Sequence, residues 1–492
     1  MGPWRAHRAG GTVGVTPPRK PSRPRHPGPP RGRSGPRRPP PDDPPRRAAL
    51  DALAAVRERD AYANLALPAL LRERRITGRD AALATELGYG TCRAQGLLDA
   101  VLGGCVDRPL PEVDGDLLDA LRLGTYQLLR TRIPPHAAVA SVVDLVRGSR
   151  GSATAGFVNA VLRRVGERDE AGWVARLAPP RDEDPVGHLA LAHSHPRWIA
   201  QAFADALASS GVKPTADELA DALAADDDRP LVHLAARPGE VSAEELAAMT
   251  GGEPAPYSPY GVHLGDGGDP GELPVVAEHL AHVQDEGSQL VALALAAVPV
   301  PGSDARWLDL CAGPGGKAAL LGALAGTGGA TLDAVERAEH RARLVSGACE
   351  GLPVTVHVAD GRDSGLPDGG FDRVLVDVPC TGLGALRRRP EARWRRQPDD
   401  VAGLVRLQRE LALAALCLVR PGGIVGYVTC SPHLAETVGV VTDVVHRTGA
   451  EQVDARPYFP GVGRLGDGPA VQLWPHRHGT DAMFCSLLRR TR

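Results

Sequence analysis

Cys380, Cys430, Lys317 and Asp377 are the residues whose types and settings suit covalent chemistry. A thiolate is a strong nucleophile, and a compact ammonium steadies negative charge beside it. Each cysteine follows a short apolar run that reads as a buried parallel strand. Phe371-Asp372-Arg373-Val374-Leu375-Val376-Asp377 precedes the first, and Ile424-Val425-Gly426-Tyr427-Val428-Thr429 the second. A further strand, Trp307-Leu308-Asp309-Leu310, opens into Cys311-Ala312-Gly313-Pro314-Gly315-Gly316-Lys317. In open α/β sheets, ligands sit outside the carboxyl ends of the strands. Neighbouring strands lie about 4.8 Å apart. If these strands are neighbours, both sulfurs face one small pocket beside a glycine-rich ligand loop. Such a pocket suits a substrate that resists direct attack.

The glycine loop fails two common patterns. A P-loop needs a glycine where Cys311 stands and Ser or Thr where Ala318 stands. A dinucleotide-binding loop needs GxGxxG, which Gly313-Pro314-Gly315-Gly316 does not give. A tight turn remains, with backbone amides near a ligand that carries a carboxylate or ribose. Glu336 ends the second strand, where an acidic side chain grips ribose hydroxyls. Asp360 ends the third and can accept from an adenine amino group. This constellation suits S-adenosylmethionine, with another nucleotide-like cofactor or a mere tight turn as the alternatives. The candidate cofactor set is Asp309, Cys311, Ala312, Gly313, Pro314, Gly315, Gly316, Lys317, Glu336, Arg341, Asp360 and Asp377. Lys20, Lys213 and Lys317 are the three lysines among 57 basic residues, so a lysine kept in this loop points to a need for an ammonium.

The elements that position these groups alternate from residue 281 onward. Strands are expected at 306–310, 331–336, 354–360, 371–377 and 424–429. A helix through Leu404, Leu407, Leu411, Ala415 and Leu418 is stopped by Pro421-Gly422-Gly423. This is a doubly wound, mostly parallel, Rossmann-like α/β sheet. Residues 46–166 read as an all-α bundle, with apolar faces such as Leu50, Leu53 and Val56 or Val139, Val142, Val143 and Val146. Residues 167–280 read as a small α+β connecting domain with a strand at Leu231–Ala235. Residues 1–45 are Pro-, Gly- and Arg-rich, hold ten Lys/Arg, and read as a disordered basic tail able to touch RNA non-specifically.

Composition narrows the function classes. Of the 492 residues, 43% are hydrophobic, enough for a sizeable core. A net charge of −2 excludes a uniformly basic nucleic-acid binder, so any such contact must be local, and 4% aromatics exclude a broad stacking platform. Eight scattered cysteines, no apolar leader and no long apolar span suggest reduced thiols in a cytoplasmic protein away from membranes. No cluster has zinc-site spacing, and His193-Ser194-His195 reads as a helix start, so no metal is expected. Cys92, Cys105, Cys349, Cys417 and Cys485 read as small core hydrophobes. Arg387, Arg388, Arg389, Arg393, Arg395 and Arg396 crowd ten residues just after Cys380 and read as an RNA-phosphate patch, the alternative being a solvated face; Trp394 among them reads as packing on the domain, the alternative being a stack on a base.

Three stretches carry a family resemblance: Cys311 to Lys317, Asp377-Val378-Pro379-Cys380-Thr381-Gly382, and Thr429-Cys430-Ser431-Pro432. They resemble motifs of the Sun/NOP2 family of RNA cytosine-C5 methyltransferases, as do Gln284 to Ser288 and Asp481 to Phe484. Val378 stands where an alanine is usual. Ile133 to Ala140 and Phe157 to Arg164 resemble the RNA-binding domain of the NusB family. Together, over about residues 46 to 492, the chain resembles the RsmB (Sun) 16S rRNA methyltransferase family. The resemblance implies that Cys430 adds to cytosine C6 and Cys380 helps break the adduct down. It implies that Asp377 meets the base near N3, with Lys317 favouring negative charge, and that RNA and S-adenosylmethionine are the partners. Rival readings are a tRNA cytosine methyltransferase, a DNA cytosine methyltransferase, which would attack from its Pro-Cys element, and a non-catalytic RNA-binding protein using the helical domain.

Overall fold

The computed structural model describes residues 43–209, 216–265 and 270–492. The basic tail up to residue 42 and most of the glycine-rich loop at 265–271 lie outside the described residues. The described residues from 43 onward belong to one compact unit.

Six helices build the N-terminal bundle: α1 (Pro44–Arg59), α2 (Ala63–Glu73), α3 (Gly78–Gly103), α4 (Gly115–Arg130), α5 (Pro135–Arg150) and α6 (Ser152–Val165). Residues 43–45, read from sequence as tail, instead start α1. Asp43 caps it by accepting from the Arg46 amide, and Pro44 occupies a first-turn position where no N–H is needed. Leu121, Val142, Val146, Val158 and Leu162 interlock in the bundle core, as the apolar spacing required.

Further helices at Glu170–Leu177, Pro185–Ala192 and Arg197–Ala208 lead to a four-stranded antiparallel sheet. It comprises β1 (Val232–Ala236), β2 (Glu253–Pro254), β3 (Gly261–Leu264) and β4 (Ala281–Val283), in the order β2-β3-β1-β4. The sheet closes only with β4, past the expected limit at 280.

The large sheet contains β5 (Arg306–Asp309), β6 (Thr331–Glu336), β7 (Val354–Val358), β8 (Phe371–Asp377), β9 (Val419–Thr429), β10 (Glu451–Val453), β11 (Val471–Gln472) and β12 (Phe484–Arg489). Its order is β10-β12-β9-β8-β5-β6-β7, with β11 on β12. The five strands from β7 to β9 are parallel, and β12 runs antiparallel to β9. The fold class expected from sequence is the one found: a NusB-like helical domain, then a Rossmann-like, mostly parallel sheet. The chain starts in mid-sheet at β5, winds out to β7, then crosses to β8. The switch point lies between β5 and β8, where such sheets bind ligands.

Period-two alternation sorts the side chains of β8. Leu375 joins the core under helices Glu286–Ala297 and Gly316–Thr327. Val374 and Val376 join the core under helices Asp400–Leu418 and Val438–Thr448. Both faces are covered, which is why β8 reads as one apolar run. β9 starts at Val419 rather than Ile424 and so includes Pro421-Gly422-Gly423, read from sequence as a stop. A register shift between Phe371 and Arg373 absorbs the irregularity.

The arginine run after Cys380 proves largely structural. Arg393 is 0% exposed, and its guanidinium reaches the carbonyls of Arg93, His193, Ser194 and Asp226 and the Asp227 carboxylate. Arg395 donates to the carbonyls of Val56, Asp60 and Ala61 at the end of α1, where exposed C=O groups attract cations. Arg387 and Arg388 both bind Asp285 and Asp481. These four are therefore corrected from RNA contacts to ties within the protein, because carboxylates and helix-end carbonyls already hold their donors. Trp394 packs into the notch at Gly96 of α3, where a Cβ would lie 2.5 Å from its ring. Arg389 remains exposed over the ring of Tyr62, and Arg396 half-buried.

Replacing Arg393 with Met should leave four carbonyls without this donor and the Asp227 carboxylate with Arg130 at 3.7 Å. A destabilisation of roughly 3–5 kcal/mol is expected, as when one partner of a buried ion pair is removed. Denaturant unfolding measures it. A change under about 1 kcal/mol would return Arg393 to the surface class.

Candidate active site

The site forms where β5, β8 and β9 end together. β8 and β9 are direct neighbours, with Asp377 opposite Val428. The two cysteines that follow therefore leave the same sheet edge. Their sulfurs are 3.4 Å apart, in contact. Lys317, in the first turn of helix Gly316–Thr327, donates from Nζ to Asp377 Oδ2 at 2.8 Å. Cys380, Cys430, Asp377 and Lys317 thus meet in one place.

Burial sets the electrostatics. The hydrogen bond to Cys380 and burial push the Cys430 thiol well above its ordinary range, while Lys317 pulls it down. Burial opposes the Lys317 ammonium, but the charge and hydrogen bond of Asp377 raise it above its ordinary value, helped by Cys430 and Asp309. Lys317 is a fixed positive charge among groups that gain from it. Burial, then the Asp377 charge, push Asp309 up to about 7. Asp309 Oδ1 accepts from the Cys311 amide at 3.4 Å, and Oδ2 is buried without a partner.

The loop from Cys311 to Lys317 is built for close approach. Gly315 sits at φ +118°, a region that favours glycine, and caps the following helix. A Cβ on Gly313 would lie 2.2 Å from Glu336 Oε2. Glu336 Oε2 instead accepts from the Gly313 amide at 3.2 Å, and Oε1 from the Ala338 amide at 2.9 Å. Arg341 donates to the Gly313 carbonyl at 2.6 Å and so fastens the loop from outside. Ala312 and Pro314 belong to the same turn, whose Gly315 N–H meets the Ala312 carbonyl at 2.8 Å. Asp360 stands two residues past the end of β7 and is gripped by Arg362, whose side-chain hydrogen bonds pull it down to about 2. An incoming amino group would have to share that carboxylate with Arg362.

A cofactor with a ribose and an amino-acid end fits this cradle. A glycine turn and a helix N-terminus stand beside an acidic side chain ending β6, and the buried Asp309 Oδ2 and the Gln284 side-chain amide lack partners. Gln284 lies 3.5 Å from where a Gly316 Cβ would be. Among the described residues no group of three or more His, Cys, Asp or Glu could hold a metal ion.

Sequence reasoning missed what joins the pieces. The segments Gln284–Ser288 and Asp481–Phe484 meet, with the Asp481 amide donating to Asp285 at 3.1 Å. Next to them the Gly384 amide donates to the Cys430 carbonyl and the Gly384 carbonyl accepts from Ala482. A Cβ on Gly384 would lie 2.1 Å from the Ala482 oxygen. Glu436, fully buried beneath both cysteine loops, was also missed. One acidic residue among His433, Leu434 and Ala435 carries no spacing signal. Cys417 is exposed at the end of its helix, not in the core as expected. Cys92, Cys349 and Cys485 are buried, and burial pushes each thiol up to about 12.

Asp309 gives a pH test. Its folded value of about 7 lies above an unfolded value near 4, so the native state holds a proton the unfolded chain releases. That contribution is complete below about pH 4 and is lost as pH rises through about 7. Asp309→Asn should therefore flatten the fall in stability between about pH 4 and 7. Urea midpoints of both proteins across that range decide it, and equal slopes would refute the assignment.

Comparison with known proteins places this geometry. The family model described as 16S rRNA methyltransferase RsmB/F matches residues 296–489, and the NusB family model matches 43–167. "Putative methyltransferase Rv1407" of Mycobacterium tuberculosis is 61% identical, over 93% of this chain and 98% of its own length. The ribosomal RNA small subunit methyltransferase B of Pseudomonas putida is 34% identical, over 83% of this chain and 91% of its own. A crystal structure of PH0851 superposes with a TM-score of 0.74 at 22% identity, covering 91% of this chain and 99% of that one, and supports the fold. With the cysteine pair, the glycine loop and the helical domain in place, the chain belongs to the RsmB/F family of rRNA methyltransferases.

Proposed function

We propose that this chain transfers a methyl group from S-adenosylmethionine to C5 of a cytosine in 16S rRNA through a covalent adduct between Cys430 and C6. The observation that carries this reading is the pair of sulfurs 3.4 Å apart beside the Lys317–Asp377 ion pair. Cytosine C5 is a weak nucleophile. Addition of a thiolate to C6 forms the S–C6 bond and moves the electron pair toward N3, leaving an enamine whose C5 is nucleophilic. Asp377 meets the base edge near N3, and Lys317 steadies the negative charge. Lys317 also favours the Cys430 thiolate, which its surroundings otherwise disfavour.

S-adenosylmethionine supplies an electrophilic methyl carbon, and the cradle of Gly313, Gly315, Glu336 and Asp309 would hold it. The C5 proton must then leave as the S–C6 bond breaks. Cys380, whose sulfur lies 3.4 Å from that of Cys430, takes up that proton and so helps the adduct break down. Elimination restores the aromatic ring and frees Cys430. The NusB-family domain supports RNA as the partner. Arg396, which donates to the carbonyl of Thr381 beside Cys380, and exposed Arg389 are the arginines of the run that remain for phosphate contact.

Alanine variants of the two thiols, incubated with 16S transcript and S-adenosylmethionine, test the roles on a denaturing gel. Cys380→Ala should accumulate protein joined to methylated RNA. Cys430→Ala should bind the cofactor normally but give neither adduct nor product. An adduct from Cys430→Ala alone would reverse the roles of the thiols. Turnover of tRNA with none of the 16S transcript would overturn the rRNA assignment.

A further inference from the structure

We infer that Glu436 is a positioning residue that sets the mutual placement of Cys380 and Cys430. The inference rests on the reading of these thiols as the catalytic pair. The backbone ladder between β8 and β9 ends where the Val378 N–H meets the Val428 carbonyl. Beyond it the two cysteine loops need another tie to keep two sulfurs in contact. Glu436 supplies one. Its side chain is 0% exposed. Oε1 accepts from the Thr381 amide and from Gln408 Nε2, both at 2.9 Å. Oε2 accepts from Ser431 Oγ at 2.7 Å and from the Thr381 hydroxyl. Thr381 follows Cys380 and Ser431 follows Cys430, so one carboxylate bridges the residues next to each thiol.

The bridge is anchored on both sides. Gln408 Nε2 also donates to the Pro379 carbonyl at 2.9 Å, fixing the approach to Cys380 from helix Asp400–Leu418. The Tyr427 hydroxyl, from within β9, donates to the Glu436 carbonyl at 2.7 Å. All four donors on the carboxylate are neutral, and no cation accompanies them among these bonds. Burying a carboxylate is costly unless its oxygens are hydrogen-bonded, and here each oxygen accepts two bonds. A carboxylate is acceptor-only, so it can draw four donors from two loops and a helix toward one point. That property suits holding reactive atoms in register.

The test uses the full chain with Cys417 replaced by Ala, so that the exposed thiol does not interfere. Diamide serves as a ruler of thiol contact: it takes two electrons and two protons as the Cys380–Cys430 S–S bond forms. Peptide mapping identifies that bond. This reading needs neither RNA nor cofactor. A wild-type chain that cross-links but transfers no methyl would therefore sink the proposed function and leave the positioning role standing.

Glu436→Ala should slow cross-linking at least ~10-fold and lower kcat roughly 100-fold, the scale of a 1 Å misplacement of reacting groups. KM for RNA and affinity for S-adenosylmethionine should stay within about 3-fold, since Glu436 is fully buried and offers neither ligand a surface. Glu436→Gln should recover most of both losses. Its carbonyl can keep the Thr381 amide and Gln408, and its amide can donate to the two hydroxyls. Cross-linking and kcat unchanged in a folded Glu436→Ala protein overturn the inference. A Gln variant as slow as the Ala variant overturns it too, because the carboxylate would then act through its charge. If Glu436→Ala does not fold, Thr381→Val and Ser431→Ala each remove one hydroxyl tie. Slower cross-linking in either supports the inference, and wild-type rates in both overturn it.

Discussion

The parallel pairing of β8 with β9 is the constraint on which the rest of the site depends. Parallel neighbours end at the same edge of a sheet, so residues far apart in sequence leave that edge within side-chain reach. Asp377 opposite Val428 fixes the register, and a slip of one residue would turn every side chain of the strand to the other face. The alternation of Val374, Leu375 and Val376 between two covered cores makes such a slip costly. Packing energy deep in the sheet therefore secures the contact between the sulfurs at its edge.

Charge follows from the same placement. The site is partly buried, and burial penalises ionised thiols and carboxylates alike. Lys317 answers this with one cation, held against Asp377 by the turn that starts its helix. Arginines are plentiful in this chain, yet those nearest the site tie Asp285, Asp481 and the helical bundle together. The bundle and the large sheet are thus pinned through the segment that follows Cys380. An RNA held by one element would meet the pocket in a set orientation.

Much of this was legible in the residues. The runs at 306–310, 331–336 and 371–377 fall almost on β5, β6 and β8, because strands covered on both faces are continuous apolar segments. The glycine loop and both cysteines stood out for the same reason: each follows such a run. The arginines misled because charge density in sequence says nothing about the carbonyls and carboxylates that tertiary folding brings to them. Asp372 and Arg373 were read as part of an apolar strand. They are buried and satisfied, Asp372 by the Ala305 and Arg306 amides and Arg420, Arg373 by Asp304 and two carbonyls. Glu436 was invisible because its partners come from a strand end, a loop and a helix that no local spacing connects.

The most direct measurement identifies the methylated nucleoside itself. Unmodified 16S transcript, incubated with the protein and isotopically labelled S-adenosylmethionine, is digested to nucleosides and resolved by mass spectrometry. Label in 5-methylcytidine is the expected result, since only carbon attack requires the thiol addition proposed for the cysteine pair. Label in N4-methylcytidine, in a purine or on a ribose hydroxyl would contradict it, because those acceptors need no covalent cysteine and would leave Cys430 without a task.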